Sequence, residues 1–199
     1  MHAAIESIIK DWPRNPRESA KRLVDYYGEP DEYTPSQLVW FRTGDGWKRT
    51  VLSRTEVPHD FPAHHTDFLE QWIDYQVPVD MYSKLAEYDG SVIVERTKGE
   101  LSARCGGTSM NFVAVNLAHD IVTGRRSVAD ARREYARLYQ AYQNGEKPAY
   151  AEGFQFPLPG EDTRDPDKPV RARFLPRERV RASPSPARVA PPATRCPRR

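Results

Sequence analysis

Apolar residues recur every three or four positions in several stretches of the chain, which is the spacing of one buried helix face. The clearest stretch is 16–27, where Asn15 is a good N-cap and Gly28 follows the last turn. The same spacing predicts further helices at about 4–10, 65–75, 80–87, 108–123 and 127–143, and Ser127 with Asp130 approximates a capping box at the start of the last one.

Two of these predicted helices contribute strongly to the expected core. The segment 108–123 is apolar nearly all round, which is typical of a helix at the centre of a domain. The segment 65–75 carries one apolar stripe, which predicts a helix with a single buried face. That stripe consists of Phe68, Leu69, Trp72 and Ile73.

Strand patterns occur in two pairs, each joined by a turn. The first pair spans 37–54 with Thr43-Gly44-Asp45-Gly46 as its turn, and the second spans 91–105 with a turn at Lys98-Gly99. Short glycine-containing loops between such segments are typical of antiparallel neighbours. The sequence therefore predicts two β-hairpins, separated and flanked by helices.

This order of elements predicts an α+β fold, in which two β-hairpins form a small antiparallel sheet packed by about five helices. Residues 1–160 have the length of a single domain with its own core. Within them, residues 145–160 combine aromatic side chains with Gly and Pro and can dock on the domain as an extended arm. Residues 161–199 hold eight prolines and few large apolar side chains, so we expect this tail to be disordered.

The net charge of the chain also changes sign near residue 160. Residues 161–199 hold ten Arg and one Lys against five acidic side chains, a net charge of +6. Residues 1–160 hold 19 basic and 23 acidic side chains, a net charge of −4. A basic tail binds anionic polymers by releasing counterions, so the tail is the segment that suggests a nucleic-acid partner.

The start of the sequence and its cysteine content favour a cytoplasmic protein. No basic region followed by a long apolar run is visible, and no stretch approaches the roughly 20 apolar residues that a membrane helix needs. The two cysteines, Cys105 and Cys196, do not make a disulfide framework. We therefore expect no membrane partner.

Three of the five histidines, His59, His64 and His65, fall within seven residues, and Asp67 follows closely. Imidazole and carboxylate groups are ligands that zinc and similar metals accept. The spacing matches no zinc-protease motif, because a proline interrupts it and His-Glu-x-x-His is absent. A fourth ligand would have to come from elsewhere, and the candidates are Cys105, His119 and Asp120.

An alternative interpretation makes the same stretch a proline-ordered loop before the predicted helix 65–75. Thr66 or His65 would then cap that helix, and Asp67 would interact favourably with the helix dipole in its first turn. Short motifs in a single sequence do not decide between these alternatives, so both stay open.

Cys105 ends a predicted strand and precedes Gly106-Gly107 and the predicted helix 108–123. A helix N-terminus favours a thiolate, and a nearby histidine would make this cysteine a candidate nucleophile. No papain-like or caspase-like pattern surrounds it. The alternative is a small buried side chain at a crowded junction between strand and helix.

Several longer motifs lie between about residues 12 and 142. They include Tyr-Gly-Glu-Pro-Asp at 27–31, Trp-Lys-Arg-Thr at 47–50, Val-Pro-His-Asp-Phe-Pro at 57–62, Ser-Ala-Arg-Cys at 102–105 and Asn-Leu-Ala-His-Asp-Ile-Val-Thr-Gly at 116–124. On these motifs the chain resembles an uncharacterised family of bacterial proteins, a domain of unknown function. The resemblance implies no activity, cofactor or site residue, and it does not include the tail.

Together these features predict a cytoplasmic binding or accessory module without catalysis, because no complete catalytic set of residues is recognisable. Such a module would act on a protein partner that the sequence does not identify. One alternative is a metal- or cysteine-dependent enzyme that uses the 59–67 stretch with Cys105, and another is a nucleic-acid-associated protein acting through its tail. The candidate binding residues are His59, His64, His65, Asp67 and Cys105.

Overall fold

A six-stranded antiparallel sheet organises the part of the chain that the computed structural model describes, residues 3–170. Its strands are β1 (Glu32–Thr34), β2 (Gln37–Phe41), β3 (Arg49–His59), β4 (His65–Asp74), β5 (Val92–Glu95) and β6 (Glu100–Cys105). They lie side by side in the order β1-β2-β3-β4-β6-β5. Strand β4 is therefore central, with β3 and β6 as its hydrogen-bonded neighbours.

Helices pack against this sheet and complete an α+β fold, which confirms the predicted fold class. They are α1 (Ala3–Ile9), α2 (Arg14–Tyr27), α3 (Tyr82–Tyr88), α4 (Thr108–Val122), α5 (Val128–Gln143) and α6 (Ala149–Glu152), with a 3-10 turn at Val79–Met81 before α3. Both predicted hairpins are present as the antiparallel pairs β2–β3 and β5–β6. Strands β1 and β4 extend the sheet beyond the four strands that the sequence predicted.

The prediction of a helix at 65–75 is wrong, because these residues form strand β4. Its side chains Leu69, Gln71 and Ile73 are fully buried, whereas the residues between them are half-buried. This alternation is the period of a strand. The polar side chain of Gln71 interrupts the apolar alternation, so the sequence resembles a helical stripe instead.

Gln71 is accommodated in the core because neighbouring side chains satisfy its amide. Its Nε2 donates to Thr50 Oγ1 at 3.1 Å and to Tyr27 Oη at 3.3 Å. Its Oε1 accepts from Asn111 Nδ2 at 3.0 Å. A buried amide is costly unless it is hydrogen-bonded, so these contacts make a polar residue compatible with the centre of the sheet.

Two apolar clusters pack the helices on one face of the sheet. The first cluster joins α1 and α2 to strands β2 to β4, and the second joins α3 to α6 mainly to β4 and β6. Leu38, Leu52, Leu69 and Cys105 are successive partners across β2, β3, β4 and β6. Directly paired residues point to the same face, so the two clusters lie next to each other.

Of two predicted helix caps, one is confirmed by the structure and one is wrong. Helix α2 begins directly after Pro13, so Asn15 lies within the helix, where its Nδ2 donates to Glu56 Oε1 at 2.8 Å. Asn15 is therefore not the N-cap. The predicted cap of α5 is confirmed, because Ser127 Oγ accepts from the backbone N–H of Asp130 at 3.1 Å.

The segment around α6 is fastened to α4 by one buried side chain. Asn116 is 1% exposed. Its Nδ2 donates to the carbonyl oxygens of Tyr150 at 3.1 Å and Gly153 at 2.9 Å. Its Oδ1 accepts from the backbone N–H of Gln155 at 2.7 Å. This single amide therefore satisfies three backbone groups of the segment.

The chain divides near residue 165. Residues 3–165 belong to one unit, and residues 166–170 belong to a second. In the first unit Thr163 is buried, and its Oγ1 donates to the carbonyl oxygen of Gly99 at 2.9 Å. The predicted disorder of 161–199 falls largely on residues 171–199, which lie outside the described residues. Between residues 3 and 170, no helix combines the length and apolarity needed to cross a membrane.

We expect Asn116→Ala to lower the free energy of unfolding by about 3 kcal/mol, because three backbone groups lose their partner. Chemical denaturation with fluorescence detection measures the loss. Limited proteolysis should also cut faster near residues 149–155. Asn15→Ala is the matched control, because it removes an exposed hydrogen bond and should change stability by about 0.5 kcal/mol or less. Equal effects of the two substitutions would contradict the anchoring role.

We also expect His119 to make the fold sensitive to acid. Its Nδ1 lies 2.8 Å from Tyr75 Oη, and its ring stacks on Phe156 with centroids 4.0 Å apart. Burial, and then the charge of Arg125, lower the pKa of His119. The unfolded state therefore binds a proton more readily, so stability should fall as the pH drops below about 6.5. Unfolding measured at pH 7 and pH 5 should show a smaller loss for His119→Gln than for the wild type. Identical losses would contradict this expectation.

Candidate metal site

Antiparallel pairing brings four of the five candidate residues together. Strand β3 continues to His59, which is the direct partner of His65 on β4. Asp67 lies two residues further along β4, so it shares the face of His65. Cys105 reaches the same face because it pairs with Leu69. The structure leaves His64 outside this set.

His59, His65 and Asp67 converge closely enough to share one ion. Asp67 Oδ1 lies 3.0 Å from His65 Nε2, and Asp67 Oδ2 lies 3.3 Å from His59 Nδ1. One ligand atom from each of the three side chains lies within 4.8 Å of the other two. Cys105 Sγ is 3.5 Å from His65 Nε2 on the side of the cluster near α4. The arrangement therefore offers two imidazoles, a carboxylate and an adjacent thiol.

Each of these three side chains also contacts a residue outside the cluster. His65 Nδ1 lies 2.8 Å from the carbonyl oxygen of Ala63, and His59 Nε2 lies 3.7 Å from Asp89 Oδ1. Ser91 Oγ donates a short hydrogen bond to Asp67 Oδ2. Such outer contacts fix ring orientation and select which nitrogen faces the centre. Hydrogen bonds therefore hold His65 and Asp67 in place without an ion, whereas His59 has only Asp89 as an ion-pair neighbour at its outer nitrogen.

Asp67 is the electrostatic centre of the cluster. It is 1% exposed, and among the described residues no donor is aligned for a hydrogen bond to its Oδ1. His65 Nε2 is close to this oxygen but off the hydrogen-bond axis, and Arg104 Nε is 4.0 Å from Oδ2. An ionised carboxylate in such a place needs a cation beside it.

The protonation state of His65 depends on the same need of Asp67 for a neighbouring cation. Because a carbonyl oxygen faces Nδ1, the hydrogen is on Nδ1, and Nε2 faces Asp67 Oδ1. A lone pair on Nε2 would repel the carboxylate, so a proton or a metal cation belongs between them. Hydrogen bonds to Asp67, and then to Cys105, stabilise the protonated imidazole and raise the pKa of His65 to about 11. Burial raises the pKa of the neighbouring Asp89.

The remaining candidates lie elsewhere. His64 is 78% exposed, and its Nδ1 lies 2.7 Å from Asp60 Oδ1, itself 87% exposed. His119 contacts Tyr75 and Phe156, so it is no fourth ligand, and Asp120 is paired with Arg126 at 2.9 Å. Of the three candidates for a fourth ligand, the structure brings only Cys105 to the cluster.

The interpretation of 59–67 as a capping loop is also wrong. His65, Thr66 and Asp67 lie in strand β4, so they cap no helix there. Thr66 Oγ1 instead donates to Glu56 Oε1 across the β3–β4 pair at 2.9 Å. Asp67 is buried among polar partners rather than exposed at a helix start.

Two residues of the site were not predicted from the sequence. Asp89 and Ser91 lie between α3 and β5, where Asp89-Gly90 reads as an ordinary turn. Asp89 Oδ1 accepts from the backbone N–H of Ser91 at 2.8 Å, which is a local turn contact. An Asp-x-Ser sequence therefore predicts the turn, but it does not predict that the turn lies close to His59.

A cleft of about 660 Å³ opens beside the cluster. His65 and Cys105 form part of its wall, so the cluster meets the cleft through these two side chains. The opposite walls come from α2, the start of α4, the end of α5 and α6. Residues at these positions include Arg22, Tyr26, Gly107, Ser109, Tyr142 and Glu152.

We expect His65→Ala to destabilise the metal-free protein by about 3 kcal/mol, because it leaves Asp67 as a buried charge without its closest cation. Urea unfolding in the presence of a chelator measures this loss. His64→Ala is the matched control, and its effect should stay within about 0.5 kcal/mol because the side chain is exposed. A loss of similar size in both variants would show that His65 has no special role in compensating Asp67.

Searches against protein-family models, curated protein sequences and solved structures find no significant match to this chain. The resemblance to a family of bacterial proteins therefore stays a prediction. The geometry of His59, His65, Asp67 and Cys105 is consequently the basis for the function proposed below.

Proposed function

We propose that this protein binds a divalent metal ion of the zinc type through His59 Nδ1, His65 Nε2 and Asp67 Oδ1. The bound metal would act as a Lewis acid on a small molecule held in the adjacent cleft. The proposal corresponds to the metal-dependent alternative among the predicted functions, rather than to a module without catalysis.

One observation carries this proposal: the buried carboxylate of Asp67 lies between two imidazoles, and its Oδ1 has no aligned donor. His65 Nε2 lies beside Oδ1 and His59 Nδ1 lies beside Oδ2. Histidine ligands in metal sites commonly contact a carbonyl or carboxylate through the other ring nitrogen. Ala63 and Asp89 occupy those positions for His65 and His59.

The ligand types and distances favour zinc over calcium or magnesium. Imidazole suits zinc and its neighbours in the transition series, whereas calcium and magnesium prefer sets of oxygen ligands. Bonds of about 2.0–2.2 Å in a tetrahedron place neighbouring N and O ligands about 3.3 Å apart. Asp67 Oδ1 lies 3.0 Å from His65 Nε2, and the other carboxylate oxygen, Oδ2, lies 3.3 Å from His59 Nδ1, so both distances are close to that value. Small side-chain rotations would bring all three ligands to one ion.

Three protein ligands beside a cleft are typical of catalytic rather than structural zinc. Structural sites are closed by four protein ligands, whereas catalytic sites keep one position for water or substrate. A metal at this cluster would lower the pKa of a bound water and polarise a substrate oxygen. The cleft volume of about 660 Å³ falls within the range of small-molecule sites.

The cellular setting is part of the proposal. We propose a cytoplasmic protein of bacterial type, in which Cys105 stays a thiol as it is in the structure. A reducing compartment keeps such thiols free. A nucleic-acid partner acting through the tail stays a separate prediction, since residues 171–199 lie outside the described residues.

Protein purified without a histidine tag should bind about one zinc ion per chain, measured by elemental analysis and calorimetric titration. Zinc at 1,000 times its dissociation constant should raise the free energy of unfolding by about 4 kcal/mol. Asp67→Asn and His59→Ala should weaken zinc binding by at least about tenfold, because each removes a ligand.

Matched variants separate this site from adventitious binding. Asp60→Asn and His64→Ala alter an exposed aspartate–histidine pair in the same stretch, so they should leave zinc affinity unchanged. Less than about a tenth of an equivalent of zinc after titration would overturn the proposal. Equal loss of affinity in the exposed and buried variants would overturn it as well.

A further inference from the structure

We propose that Cys105 is a redox-controlled fourth ligand of this metal, occupying the cleft-facing position when reduced and leaving it when a peroxide oxidises the sulfur. The inference rests on the proposed metal function and adds its regulation. The reduced protein would hold the metal with four ligands, and the oxidised protein would present an open coordination position to the cleft.

The distance from Cys105 to its neighbour fits joint coordination. A tetrahedral zinc site with Zn–S of about 2.3 Å and Zn–N of about 2.05 Å separates sulfur and nitrogen by about 3.5 Å. Cys105 Sγ lies 3.5 Å from His65 Nε2. His65 Nε2 is also the atom that faces Asp67 Oδ1, so the thiol and the carboxylate both lie beside the same imidazole nitrogen.

The surrounding backbone fixes where this sulfur can go. Cys105 is the last residue of β6 and pairs with Leu69 on the central strand β4. Gly106 follows, and a side chain there would approach the carbonyl oxygen of Thr66 to 3.2 Å. The two strands therefore hold Cys105 next to the metal ligands, and only a rotation of its side chain is free.

Access from solvent distinguishes Cys105 from a purely structural thiolate. Its residue exposure is only 6%, yet it forms part of the wall of the open cleft. His59 and Asp67 lie behind it and do not line that cleft. A small oxidant entering the cleft therefore meets the sulfur and His65 before it can reach His59 or Asp67.

The chemistry requires one peroxide and no further reactant. The Cys105 thiolate would attack one oxygen of hydrogen peroxide, so that an S–O bond forms and the O–O bond breaks. Two electrons pass from sulfur to peroxide, hydroxide leaves, and the sulfur becomes a sulfenic acid. The sulfenic acid is a weaker metal ligand than the thiolate, and added thiol reduces it back to the starting state.

Cobalt(II) substitution gives a direct readout of the sulfur ligand. Wild-type protein with one equivalent of cobalt(II) should show the near-ultraviolet charge-transfer band of a thiolate–cobalt bond. Cys105→Ser should lack the band and bind cobalt(II) at least about tenfold more weakly. Cys196→Ser is the matched control, since it removes the other cysteine, which lies outside the described residues, and should keep both the band and the affinity.

Peroxide then tests the switch in the Cys196→Ser protein. Stoichiometric hydrogen peroxide should abolish the band, and dithiothreitol should restore it. If zinc binds to the wild type but Cys105→Ser keeps full affinity and the band is absent, the fourth-ligand proposal fails while the metal function stands. If neither zinc nor cobalt(II) binds to the wild type, the metal function itself fails. A band that persists under peroxide would overturn the redox control, and melting of the metal-free variants shows that each is folded.

Discussion

Strand β4 is hydrogen-bonded along both edges, and its position determines which side chains can meet in the interior. Its odd-numbered residues from His65 to Ile73 point to the face that carries the helices. Leu69 and Ile73 fill the two apolar clusters, and Gln71 ties β4 to Thr50 and Asn111. A shift of one residue in its pairing would move all of these groups to the opposite face.

The same strand brings a negative charge into the interior. Asp67 is accommodated because His65, His59, Arg104 and Ser91 surround its carboxylate. Removing a buried charge from water is unfavourable, and each of these neighbours offsets part of that cost. The cluster is thus both a structural requirement of β4 and an arrangement that suits a metal cation. These two roles reinforce each other, since an ion there would compensate Asp67 more fully than a proton on His65.

The elements that depend on neighbouring residues in the sequence could be predicted from local patterns. The cap of α5 at Ser127, the buried helix α4 and the strands of both hairpins were predictable. Strand β4 was not predictable, because the buried polar side chain of Gln71 interrupts the alternation of apolar residues that marks a strand. The site was only partly predictable, because His59 meets His65 through a strand that continues past Pro58. Proline is tolerated there since β3 no longer pairs with β2 beyond Ser53.

The anchoring of α6 on Asn116 has a consequence for the order in which the protein is made. Ala151 and Glu152 complete the cleft wall, yet they leave the ribosome after the metal ligands and all six strands. The side chains proposed to bind the metal therefore emerge before the segment that completes the cleft. The cleft wall is complete only once this segment is hydrogen-bonded to Asn116.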